Sequence, residues 1–204
     1  MVSSLLCFHY YTALRPRPQG KFSLCPGAAH AIMEKKRYGV ENMQKIAQFM
    51  KVSRARFEAD WHFDAPCPYD ARKLPRRGTA GSAGYDFFTP VDIRLAPGES
   101  VCIPTGVRAR IDEGWVLKLY PRSGLGFKYS RQLNNTVGII DSDYFNAQNE
   151  GHIMLKLTNA SNEGRTLEIR PGEAVAQGVF VEYGITVDDD ASALREGGFG
   201  STGR

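Results

Sequence analysis

GVRARIDEGWVLKLY, residues Gly106–Tyr120, decides the fold class. Within Gly106–Ile111, the apolar Val107, Ala109 and Ile111 alternate with the cationic Arg108 and Arg110. Within Trp115–Tyr120, Leu117 and Leu119 oppose Val116, Lys118 and Tyr120. A period of two puts alternate side chains on opposite faces, the signature of a strand with one face on a core. Working outward, His152–Asn159 and Thr166–Arg170 alternate in the same way, and Pro97-Gly98 and Pro171-Gly172 punctuate the pattern as turns. Upstream, Gln44–Val52 reads as a strand. Ser53 then resembles an N-cap for a short helix through Trp61, with Phe57 and Trp61 four apart on one face. Pro66, Pro68 and Pro75 mark a loop. Short, evenly spaced strands with no long amphipathic helix and no internal repeat predict an all-β sandwich or barrel.

The 204 residues, 42% of them hydrophobic, suffice for one sizeable core. The net charge of +4 sits in residues 1–42, where six basic groups face two acidic ones, so the remainder is neutral. A nucleic-acid binder carries its basic patch on the folded part, so no nucleic acid is expected as a partner. Cys7, Cys25, Cys67 and Cys102 have neither the spacing of a zinc site nor that of a redox pair, which favours reduced thiols in the cytoplasm. His9, His30, His62 and His152 are equally scattered. No apolar run approaches the ~20 residues that span a bilayer, so no membrane is expected.

Five segments carry groups suited to phosphate chemistry. Ala83–Phe87 (AGYDF) sets Asp86 after a glycine and an aromatic. Pro121–Gly124 (PRSG) ends a strand with Arg122, Ser123 and Gly124, a cation, a hydroxyl and a free backbone N–H that converge on an anion. Gly138–Tyr144 (GIIDSDY) buries Ile139 and Ile140 and then delivers Asp141 and Asp143, which share a face if the strand continues. One of these carboxylates can deprotonate water; both can equally cap a hairpin turn. Gly172–Gly178 (GEAVAQG) presents Gln177 to a ligand or to solvent. The tail Arg195–Arg204 (REGGFGSTGR) combines arginine, four glycines, the ring of Phe199 and the hydroxyls of Ser201 and Thr202. Its Gly198, Gly200 and Gly203 match a dinucleotide fingerprint that needs a following helix, and here the sequence stops.

Those blocks, in that order over residues 80–204, resemble the five-motif signature of the trimeric dUTP diphosphatases (dUTPases). The resemblance implies a jelly-roll-like β-barrel, a homotrimer with shared active sites, and Mg²⁺-dependent hydrolysis of dUTP to dUMP and pyrophosphate. It implies that Asp141 activates the water attacking the α-phosphorus and that Asp86 holds the water shell of the metal. Arg122, Ser123 and Gly124 then serve the phosphates, Gln177 the α-phosphate, and Tyr144 the face of the deoxyribose. Asn135, six residues before Asp141, reads the uracil edge. Arg195 clamps the γ-phosphate, Phe199 stacks on uracil, and Gly200, Ser201 and Thr202 complete the phosphate contacts. Three departures stand out: Phe145–Asn149 lengthen the turn before Glu150, Ala174 replaces a frequent arginine, and one fewer residue separates Arg195 from Phe199.

The expected organisation is a disordered leader or upstream extension over 1–42, a single β domain over 43–194 with an extra helix near 53–61, and a mobile lid over 195–204. The leader is acid-poor and arginine-containing, as transit segments are, and Met33 and Met43 are alternative starts. A dCTP deaminase of the same fold is the enzymatic rival, although neither Glu150 nor Glu163 lies in a matching context. A nucleotide-controlled interaction protein whose partner docks on residues 1–75 is the rival of another class.

Overall fold

The structure, a computed structural model, describes residues 43–122, 131–193, 195 and 197. It is built from β1 (Ala47–Lys51), α1 (Arg54–Asp60), β2 (Arg76–Arg77), β3 (Tyr85–Phe88), β4 (Ile93–Leu95), β5 (Ser100–Pro104) and β6 (Val107–Ile111). There follow β7 (Trp115–Pro121), β8 (Arg131–Leu133), β9 (Gly138–Ile140), a 3₁₀ turn at Ser142–Asn146, β10 (Met154–Asn159), β11 (Leu167–Ile169) and β12 (Ala174–Glu182). All strand pairs are antiparallel. They form a five-stranded sheet in the order β2-β3-β12-β7-β9, a three-stranded sheet β5-β10-β8, and the pairs β1-β6 and β4-β11. This all-β arrangement agrees with the jelly-roll expectation.

Period-two patterning does the sorting. Val107, Ala109 and Ile111 are buried while Arg110 is exposed, and Leu167 and Ile169 are buried around Glu168. These faces meet Ile103, Leu117, Leu119, Ile153 and Leu157 in one core, each full burial contributing about 1.5–3 kcal/mol. Two expectations fail. Val116 is buried along with Leu117, because β7 lies inside the sheet between β12 and β9 and is covered on both faces at that end. Ile139 is half exposed, because β9 is an edge strand with only Gly138 and Ile140 turned to the core.

The helix forms where the cap predicts it. The Ser53 hydroxyl accepts from the Arg56 N–H at 3.0 Å, and Phe57 is fully buried with its ring 5.5 Å from that of Trp61. Arg72, buried and stacked on the rings of Phe57 and Tyr69, donates to the Gly106 carbonyl at 2.9 Å and so ties this segment to the turn before β6. Gly98 and Gly172 sit at φ +84° and +81°, in the left-handed conformation that the two predicted Pro-Gly turns require.

Candidate active site

Long β12 is the ruler of the site. Its Gln177 pairs with Asp86 of β3 on one side and with Tyr120 of β7 on the other. Two residues beyond Tyr120, the Arg122 guanidinium lies 3.3 Å from the Asp86 carboxylate. Asp86, Arg122 and Gln177 therefore form one group, placed by register alone. Gly84 completes it sterically: a Cβ there would lie 1.8 Å from the Gln177 amide nitrogen, so only glycine lets that amide fold over the backbone.

The second group follows β9. The strand stops at Ile140, and Asp141 is the N-cap position of the 3₁₀ turn rather than a further strand residue. Asp141 and Asp143 still converge, because a tight turn brings residues two apart under one cation. Arg195 donates from Nε to Asp143 at 2.8 Å and from Nη2 to Asp141, and its guanidinium carbon lies 5.8 Å above the Tyr144 ring. Tyr144 is only 6% exposed, and burial raises its phenol pKa. Its hydroxyl donates to the His152 carbonyl at 2.9 Å and accepts from the Asn149 amide at 2.7 Å.

A third element is the β8–β9 hairpin. Thr136 takes φ 61° at its tip, and the Asn135 carbonyl accepts from the Val137 N–H at 2.5 Å. Asn135, Leu133, Gly138, Ile139 and Met154 line a largely apolar cavity of about 490 Å³. Half-exposed Ile139 thus forms part of the cavity wall. A Cβ on Gly138 would sit 3.1 Å from Leu119 and 3.5 Å from the Asn135 amide, so glycine here permits the close packing beside that amide.

Ser123, Gly124, Phe199, Gly200, Ser201 and Thr202 lie outside the described residues. No group of three or more His, Cys, Asp or Glu side chains suited to a metal occurs among the described residues. The Asp86 carboxylate, ion-paired with Arg122, is an oxygen donor of the kind that suits hydrated Mg²⁺, which keeps several waters instead of demanding a protein cage. No helix among the described residues is long and apolar enough to cross a membrane.

Sequence reading missed the network behind Tyr144. His152 is fully buried; its Nδ1 lies 2.6 Å from Asp60 and its Nε2 accepts from the Gly106 N–H at 2.8 Å. Burial lowers the His152 pKa against the opposing pull of Asp60. Burial pushes the Asp60 carboxyl upward, but hydrogen bonds from His152 and Arg56 outweigh it and leave the pKa below the ordinary value. Residues 60 and 152 share no local signal; only folding brings them together.

The fold and these groups define a class: an antiparallel β-protein whose carboxylates and arginines cluster at the sheet and which carries an apolar cavity at the β8–β9 hairpin. The chain belongs to the dUTPase family, whose model matches residues 70–203. It is 45% identical over 139 residues to the deoxyuridine 5'-triphosphate nucleotidohydrolase of Tolumonas auensis, covering 64% of this chain and 87% of that one. The corresponding protein of Lactococcus lactis is 42% identical over 134 residues with the same coverage. The crystal structure of dUTPase from Streptococcus mutans superposes with a TM-score of 0.55 at 35% identity, over 69% of this chain and 98% of that one. The dUTPase of phage phi11 of S. aureus, at 22% identity and a TM-score of 0.54 over 73% of this chain and 98% of that one, shares the fold.

Proposed function

We propose that this chain hydrolyses dUTP to dUMP and pyrophosphate with Mg²⁺, in sites shared between the subunits of a homotrimer. The observation that carries the reading is the meeting of Asp141, Asp143 and Arg195 beside the Tyr144 ring. Carboxylate, cation and ring face are the groups that a water nucleophile, a polyphosphate and a sugar need.

Asp141 takes a proton from water as the water oxygen bonds to the α-phosphorus. The bond from that phosphorus to the bridging oxygen breaks, and pyrophosphate leaves with the electron pair. Arg195 exchanges its two carboxylate partners for the γ-phosphate, one anion for another. Arg122 and Gln177 orient the phosphates, with Ser123, Gly124, Gly200, Ser201 and Thr202 supplying further donors. Asn135 reads the uracil edge in the hairpin slot, and Phe199 covers the base. Asp86 would hold Mg²⁺, whose chemistry would be to neutralise charge on the triphosphate.

Sheet arithmetic supports the shared sites of this reading. Asp86 and Gln177 are level with Tyr120, whereas Ile140, the neighbour of Asp141, is level with Leu117. Three strand spacings across and three residues along separate Asp86 from the end of β9 by roughly 17 Å. That separation favours a site in which one copy of the chain supplies Asp86 and a second copy supplies Asp141. The free thiols of Cys67 and Cys102 accord with a reducing cytoplasm.

The test is pyrophosphate release by the purified full chain. The expected result is turnover of dUTP with Mg²⁺, poor turnover of UTP, dTTP and dCTP, and severe loss on deleting residues 195–204 with the circular dichroism spectrum retained. Ammonia release from dCTP would instead identify the deaminase.

A further inference from the structure

Helix α1 and strand β1 precede the residues that the family model matches, and α1 grips the lengthened turn that follows Tyr144. Ser53 donates its backbone N–H and its hydroxyl to Glu150 at 2.8 and 2.6 Å, at one end of the helix. Asp60 meets His152 at the other end. Between them, the buried Phe57 ring lies 6.0 Å from the imidazole. From β6, Arg108 donates to the Phe145 carbonyl, stacks on its ring at 3.6 Å and comes within 4.0 Å of the Glu150 carboxylate.

The histidine tautomer is fixed by its partners. Because Nε2 accepts the Gly106 N–H, the ring proton resides on Nδ1 and is donated to Asp60. The imidazole is thereby locked in plane, and its backbone carbonyl is held where it receives the Tyr144 hydroxyl. An unbroken chain of hydrogen bonds and one residue's backbone runs from the Asp60 carboxylate, through His152, to Tyr144. Such outer partners orient the group that touches a ligand without touching the ligand themselves.

We propose that Asp60 and His152 are positioning residues for Tyr144, setting the tilt of its ring against the nucleotide sugar and thereby the preference for deoxyribose over ribose. This rests on the reading that Tyr144 faces the sugar of dUTP. A ring anchored at its hydroxyl by two partners cannot yield to a 2′-hydroxyl. A ring released at that end can tilt and admit it.

Steady-state kinetics on dUTP and UTP in the full chain test this, with melting temperature and oligomeric state measured in parallel. Asp60→Leu should raise KM for dUTP roughly tenfold and lower the dUTP/UTP ratio of kcat/KM in the direction of Tyr144→Ala, with kcat changed far less. Asp60→Asn keeps an acceptor for the Nδ1 proton and should restore most of the ratio. Asp60→Leu combined with Tyr144→Ala should be no worse than Tyr144→Ala alone, since both act through one ring. Glu150→Gln, at the half-exposed end of the grip, supplies a milder variant if Asp60→Leu does not fold, with a smaller shift of the same ratio expected. Lower melting temperatures with an unchanged ratio in Asp60→Leu or Glu150→Gln would make the grip merely structural and overturn the proposal. A wild-type ratio in Tyr144→Ala would overturn the reading of Tyr144 itself, and the positioning role with it.

Discussion

Asp86, Arg122 and Gln177 stand on or beside paired strands, whereas Asp141, Asp143 and Tyr144 ride on a 3₁₀ turn beyond a three-residue edge strand. The first group inherits its geometry from main-chain register, which local side-chain changes barely move. The second depends on side chains from α1, β6 and the lengthened turn. The contrast teaches that half of the candidate site is set by the sheet and half by side-chain packing, to which α1 contributes from outside the family-matched residues.

Several substitutions would break or sharpen this contrast. The largest effect is expected from Asp141→Asn, which should retain nucleotide binding by calorimetry while losing on the order of 10²–10⁴ in kcat. Unchanged turnover would remove Asp141 as the base. Next, mixing Asp86→Asn and Asp141→Asn subunits should revive activity that neither shows alone. If each site draws the two residues from different chains, about one site in four of an equimolar random mixture is intact. Persistent inactivity after subunit exchange has been verified would place both residues in one chain's site.

Gly84→Ala should act on the sheet-set group alone. The new Cβ displaces the end of the Gln177 side chain, and a loss of roughly tenfold in kcat/KM is expected. Combining it with Gln177→Ala should add little, whereas a full additive loss would mean that Gly84 matters for another reason. The smallest effect concerns acid stability of the packing-set group. Asp60 and Arg56 from α1, together with Arg72, are the charged groups facing His152. Its pKa is lower folded than unfolded, so the unfolded chain protonates first as pH falls through about 6.5. Stability is full above that pH and declines below it, by at most ~1.4 kcal/mol per pH unit for one proton. Melting temperatures between pH 7.5 and 5 should therefore fall in the wild type and fall less steeply in His152→Gln; parallel curves would exclude His152 as the source.

Legibility in the sequence followed the range of the interaction. The Ser53 cap, the Pro-Gly turns and the alternation in Val107–Ile111 are local, and each formed as its residues indicate. Ile139 was misread as core because alternation says that faces differ without saying which strand is an edge. The sequence left Asp141 and Asp143 between a continued strand, where they share a face, and a turn. The structure selects the turn, and there the two carboxylates converge on the cation of Arg195.

By itself the sequence determined an all-β chain, the order of five phosphate-suited blocks, and the residue types each block contributes, since these depend on periodicity and short-range chemistry. Only the tertiary structure decided that Asp86 and the end of the strand before Asp141 lie on different strands three places apart in the sheet, that Arg195 lies across Asp141 and Asp143, and that Asp60 reaches His152 from 92 positions away. Register and burial are properties of the closed sheet, and no window of the chain contains them.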